Sequence, residues 1–206
     1  MQQACRPEFF REHTLDRWSE AVAAAIRESH QLAGIDDGTT LVLGISEGGM
    51  VAVRVSNLLA SVTHAASLSG GGPNHMYVLA EYLTRRGLDA EALVYDCWRQ
   101  VQSDPRSTER FCLDHPFRHW SGFYTTSLIE ECLNSSAQLY LAHGSADEQN
   151  PVAGFDMMRA ELEARGRSAV FARLDGAGHS LNLPAQSARE GLVQALVDLA
   201  NWFLGD

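Results

Sequence analysis

Four short strand-like runs, separated by helical stretches, constrain this chain more than any other feature. They are Leu41-Val42-Leu43-Gly44-Ile45, a segment about His64 to Leu68, Leu139-Tyr140-Leu141-Ala142, and Ala169-Val170-Phe171-Ala172-Arg173-Leu174. The first, apolar on both faces, and the next two read as buried parallel strands, and the last is strand-like. The stretches between them carry helical signals. Thr14 can cap a helix whose Leu15, Trp18, Val22, Ile26 and Leu32 fall near helical spacing, with Asp16 in its first turn and Gly34 past its end. A turn over 34–38 follows. Gly48-Gly49 opens a second helix through Met50, Val51, Val55, Leu58 and Leu59. A third runs near Phe155 to Arg165 and stops at Gly166. A closing helix from about Ala185 to Leu204 puts Leu192, Leu196, Leu199 and Phe203 on one stripe. Strands alternating with helices predict an α/β fold with a parallel sheet covered on both sides.

The alternation breaks between residues 74 and 136. Aromatic residues become dense there (Tyr77, Tyr82, Tyr95, Trp98, Phe111, Phe117, Trp120, Phe123, Tyr124), and charged helical stretches replace strand-like runs. This reads as a helical insertion at 74–136 in a core made of 1–73 and 137–206. With 206 residues the chain has room for one domain, or one domain carrying a small inserted cap.

Bulk properties exclude several classes. The net charge of -10 repels phosphate backbones and anionic lipid. Arg85-Arg86 and Arg165/Arg167 sit beside acids and form no basic patch. Nucleic-acid and membrane-surface partners are therefore not expected. No apolar run approaches the ~18 residues a membrane span needs. The polar start Met-Gln-Gln-Ala-Cys-Arg-Pro-Glu lacks a signal peptide's apolar centre, so the cytoplasm is the expected compartment. Cys5, Cys97, Cys112 and Cys132 are irregularly spaced and without zinc-ligand pattern, which predicts buried or incidental thiols.

The chemistry concentrates in Gly44-Ile45-Ser46-Glu47-Gly48. A serine hydroxyl needs a neighbouring base and a backbone that presents it. A G-x-S-x-G turn between strand and helix presents the serine above the sheet, with small residues at Gly44 and Gly48 letting the chain bend. The base is expected in a later loop, and His179 follows the last strand in Gly176-Ala177-Gly178-His179. The orienting acid is expected after an earlier strand, and Asp147 ends His143-Gly144-Ser145-Ala146-Asp147, with Glu148 the substitute. The remaining histidines (His13, His30, His64, His75, His115, His119, His143) fit these positions less well. His115 and His119 are four apart but have Pro116 between them and no third ligand evident in the sequence, so no metal site is expected. The Ser69–Pro73 glycine run lacks a phosphate loop's Lys-Ser/Thr ending and reads as a close-approach turn.

On these three segments the chain resembles the α/β-hydrolase family. Gly44–Gly48 matches its nucleophile elbow, His143–Asp147 its acid-bearing segment and Gly176–His179 its histidine loop. The resemblance implies an α/β-hydrolase-type parallel sheet with a helical cap over the active site. It implies a serine hydrolase acting through Ser46, His179 and Asp147 on an ester or similar acyl bond of a small, moderately apolar substrate. Carboxylic ester hydrolysis is the leading activity, and a serine peptidase or thioesterase would use the same residues. The backbone N–H of Glu47, directly after the serine, is one implied oxyanion donor. No metal and no cofactor is implied. The departure lies at the front, where only about 40 residues precede Leu41 and no H-G-G-G-type oxyanion loop occurs. The fold is therefore expected to be N-terminally reduced, with the elbow strand on an edge. A second copy of the chain or a further N-terminal segment would cover that edge. A non-catalytic hydrolase-like remnant is the rival expectation.

Overall fold

A computed structural model describes residues 6–34 and 38–205. The centre of the expected 34–38 turn, and Cys5, lie outside the described residues. The chain opens with α1 (Pro7–Glu12), which the sequence patterning did not predict, and α2 (Leu15–Ser29), where the Thr14 side chain accepts a hydrogen bond from the Arg17 N–H. Then come β1 (Leu41–Ile45), α3 (Glu47–Leu58) and β2 (His64–Leu68). The segment between β2 and the next long strand holds α4 (His75–Arg85), a π-helical turn Glu91–Tyr95, α5 (Asp96–Ser103), a small hairpin of β3 (Phe111–Cys112) and β4 (His115–Pro116), α6 (Phe117–Thr125) and α7 (Leu128–Asn134). The chain finishes with β5 (Gln138–Gly144), α8 (Val152–Ala164), β6 (Val170–Leu174) and α9 (Ala188–Leu204).

The long strands form one all-parallel sheet in the order β1-β2-β5-β6. Side-chain alternation divides it into two packed faces. Leu139 and Leu141 join a core under α2, α3, α7 and α8, while Tyr140 and Ala142 join a second cluster with Ala195 and Leu199 of α9. Among the described residues α9 is the helix on that second face, packed with Leu181 over Ala66 and Leu68 of β2 and Tyr140 and Ala142 of β5.

The expectation of buried strands therefore holds for β2 and β5 and fails for β1 at the edge. On β1, Leu43 is 43% and Ile45 37% exposed. On β6, Val170 is exposed. An apolar run shows what a strand would bury, but its place in the sheet decides how much it does bury. Leu32, assigned to the stripe of α2, falls beyond the helix end and is exposed.

The segment after β2 has its own apolar cluster, built around Val94, Cys97, Val101, Phe117, Trp120 and Tyr124. That separate packing stops before α7, whose Leu128, Ile129 and Cys132 lie in the core beside the sheet. The expected thiols are also corrected. Cys97 on α5 and Cys112 on β3 form a disulfide, because the hairpin folds back onto the helix. Cys132 is a buried free thiol whose pKa burial pushes up to about 12. Among the described residues no helix is long and apolar enough to cross a membrane.

Candidate active site

Strand β1 hands the chain to α3 through Ser46, whose φ of 57° and ψ of -126° are costly for a residue with a Cβ. The Ser46 N–H still donates to the Leu68 carbonyl at 2.8 Å, and its carbonyl accepts from the Gly49 N–H at 2.9 Å. The side chain is thereby lifted out at the C-terminal end of the sheet. A Cβ on Gly44 would stand 1.8 Å from the Gly48 carbonyl oxygen, so the turn closes only with glycine there. At Gly48 there is no such steric demand, since a Cβ there meets nothing within 4 Å. The second steric demand falls on Gly49, where a Cβ would lie 2.3 Å from Ser67 Oγ on β2.

Glu47 is the first residue of α3. The first N–H groups of a helix have no intrahelical partner and carry the positive end of its dipole, so the Glu47 N–H is suited to an anion. The Glu47 carboxylate meets His75 Nε2 at 3.3 Å. Burial works to raise its pKa, but His75, with the more distant His119 and His13, overcomes burial and holds it at about 2.

The structure brings Asp147 and His179 together. Asp147 follows β5, and its buried carboxylate accepts from His179 Nδ1 at 2.8 Å through Oδ2. Its other oxygen accepts the N–H groups of Gln149 at 2.8 Å and Asn150 at 2.9 Å. Burial would raise the Asp147 pKa, yet the His179 hydrogen bond and these two N–H groups shift it down, so the carboxylate stays ionised. Glu148, the substitute acid, is exposed and makes no such bond. With Nδ1–H committed to Asp147, His179 carries its lone pair on Nε2, the atom a general base uses. No hydrogen bond joins Ser46 Oγ to His179 among the described residues.

Asn150 is the residue that sequence reasoning missed. Besides its N–H on Asp147, its side-chain amide donates to the Ser69 carbonyl at 2.5 Å and its own carbonyl accepts from buried His143 Nε2 at 2.8 Å. It ties the acid loop to the turn after β2, where Ser69 has a φ of 52°. The signal for it was local: Asp147 followed by Glu, Gln, Asn and Pro suits a side-chain-to-backbone turn.

A cavity of about 420 Å³ opens at the elbow. Ser46, Glu47 and Gly48 form its floor, Trp18 of α2 one wall, and His75, Val78, Leu79 and Tyr82 of α4 another, with Gln149 and Asn150 at the acid-loop side. His179 is not among its walls. Phe117, Trp120 and Tyr124 fill the insertion's own core with Trp98 packed against it, Tyr95 and Phe111 are exposed, and Tyr82 faces this cavity. A larger cleft of about 840 Å³ between α1 and α2 shares Trp18, but Ser46, Asp147 and His179 do not border it.

No protein-family model and no curated protein sequence matches the chain. Solved structures do. The chain is similar to dipeptidyl peptidase 4 of Porphyromonas gingivalis, with a TM-score of 0.63 and 16% identity, over 98% of this chain and 24% of that one. It is similar to the monoacylglycerol lipase of Paleococcus ferrophilus, with a TM-score of 0.57 and 19% identity, over 94% of this chain and 76% of that one. The acylaminoacyl peptidase of Pyrococcus horikoshii gives a TM-score of 0.61 and 15% identity, over 95% of this chain and 29% of that one. The chain thus spans about a quarter of the two peptidases and about three quarters of the lipase. At these identities the likeness speaks for architecture, and the architecture is the α/β-hydrolase fold, with four parallel strands among the described residues and the elbow strand β1 at the edge.

Proposed function

We propose that this chain is a serine hydrolase that cleaves an ester or related acyl bond of a small, moderately apolar substrate through Ser46, His179 and Asp147. One observation carries the reading: the His179–Asp147 hydrogen bond forms in the loops after β5 and β6, and Asn150, which holds that same carboxylate, shares a cavity with Ser46.

The chemistry follows from these atoms. Ser46 Oγ attacks the acyl carbon as His179 Nε2 takes its proton, and Asp147 orients the imidazole and stabilises the imidazolium. The Glu47 N–H at the start of α3 binds the developing oxyanion. His179 then protonates the leaving group and activates the water that releases the acyl chain. The apolar cavity walls from Trp18, Val78, Leu79 and Tyr82 favour an acyl group of modest size. No step requires a cofactor. The insertion around α4 acts as a cap, and the uncovered edge of β1 is completed by further strands or by a second copy of the chain. The Cys97–Cys112 disulfide favours an oxidising compartment over the cytoplasm expected from the sequence.

Turnover of p-nitrophenyl esters, peptide p-nitroanilides and acyl thioesters, compared at equal concentration, tests this reading. The short-chain ester is expected to be cleaved fastest. Preference for the anilide or the thioester would move the assignment to a peptidase or a thioesterase. The missing Ser46–His179 hydrogen bond favours a second reading, a hydrolase-like remnant without catalysis, and turnover of none of the three would establish it.

A further inference from the structure

Three histidines from distant parts of the chain meet beside the insertion. His13 lies at the junction of α1 and α2, His115 on β4 and His119 in the first turn of α6. Pro116 does not separate the last two. It caps α6, and the turn it makes stacks the His115 and His119 rings with centroids 4.0 Å apart. The third ligand that spacing alone could not supply is His13, whose ring lies 4.9 Å from that of His119. One ligand nitrogen from each residue falls within 4.8 Å of the others.

Each of the three rings also leaves one buried nitrogen without a hydrogen-bond partner among the described residues: Nδ1 of His13, Nδ1 of His115 and Nε2 of His119. Buried polar atoms rarely go unpartnered, and three in one cluster of rings call for something to satisfy them. The His119 tautomer is fixed. Its Nδ1–H donates to the His13 carbonyl at 3.0 Å, which leaves Nε2 as the free lone pair. A backbone carbonyl holding the far nitrogen is how metal-bound histidines are usually oriented.

We propose that His13, His115 and His119 form a site for a divalent transition metal of zinc type, with three imidazole ligands and an open fourth position. Imidazole donors suit zinc, cobalt, nickel or copper rather than magnesium or calcium. Tetrahedral ligands at ~2.0–2.1 Å stand roughly 3.3 Å apart, and ring rotation closes the remaining distance. The ion would tie the α1–α2 junction to the insertion, on either side of the cavity wall that Trp18 makes. This inference stands independently of the hydrolase reading.

The test uses the chelator-treated 206-residue chain titrated with Co(II) and Zn(II). One ion per chain is expected, with visible Co(II) bands of a low-coordinate site that Zn(II) bleaches. His13→Gln and His115→Gln, both at half-buried positions, should each weaken binding by at least about a hundredfold while circular dichroism stays unchanged. In the unsubstituted protein, Zn(II) should protect His13 and His115 from diethyl pyrocarbonate, read by peptide mass. That arm holds even if the variants do not fold. Absence of stoichiometric binding, or binding with neither protection nor loss in the folded variants, would overturn the proposal.

Discussion

Gly44 passes so close to Gly48 that a methyl group on the first would lie 1.8 Å from the carbonyl oxygen of the second. The nearest obstruction is backbone, which cannot rotate away as a side chain can. Gly44→Ala should therefore cost more than about 3 kcal/mol or prevent folding. Gly48→Ala, which meets open space early in α3, should change stability by less than about 1 kcal/mol. Urea unfolding of both variants checks the contrast. Equal losses would mean that the elbow is not closed in this way.

The acid loop gives two separable effects. Asp147→Asn keeps the shape but offers His179 the wrong partner, and ester turnover should fall roughly a thousandfold or more with KM little changed. Asn150→Ala leaves its backbone N–H on Asp147 but strands the Ser69 carbonyl. It should cost about 1–3 kcal/mol of stability. Steady-state kinetics and thermal melting of the two variants separate orientation of the base from support of the loop.

Much of this arrangement was legible in the sequence, and the parts that were not share a cause. The elbow, the acid segment and the histidine loop each sit directly after a strand, so local pattern places them. Asn150 and Trp18 acquire their roles from what comes to lie beside them, which spacing does not encode. The exposure of Leu43 and Ile45 has the same origin, because hydrophobicity does not say which strands end at an edge. The pairing of Cys97 with Cys112 required knowing that β3 returns to α5.

Acid should weaken the fold through the carboxylates held ionised inside it. Glu47 is depressed from 4.5 to about 2, and Asp147 lies below its ordinary value. A group with a lowered folded-state pKa stabilises the fold above its unfolded pKa and loses that contribution as pH falls toward the folded one. Stability should therefore drop between about pH 4.5 and 2. Glu47→Gln should flatten that drop, measured as the urea midpoint against pH. An unchanged slope would show that Glu47 is not held ionised.

The disulfide closes a loop between residues 15 apart, for which chain entropy gives about 3 kcal/mol. Cys97→Ser with Cys112→Ser should lower the melting temperature of the oxidised protein, and a reducing agent should lower that of the unsubstituted chain alone. A melting temperature insensitive to both would mean that the bond does not form.

The central claim is that Ser46 is an activated nucleophile. Fluorophosphonate labelling followed by peptide mass measurement tests it most directly. The account predicts a single adduct on the peptide containing Ser46, absent from Ser46→Ala and strongly slowed in His179→Ala. Labelling of Ser46→Ala at the rate of the unsubstituted protein would contradict it.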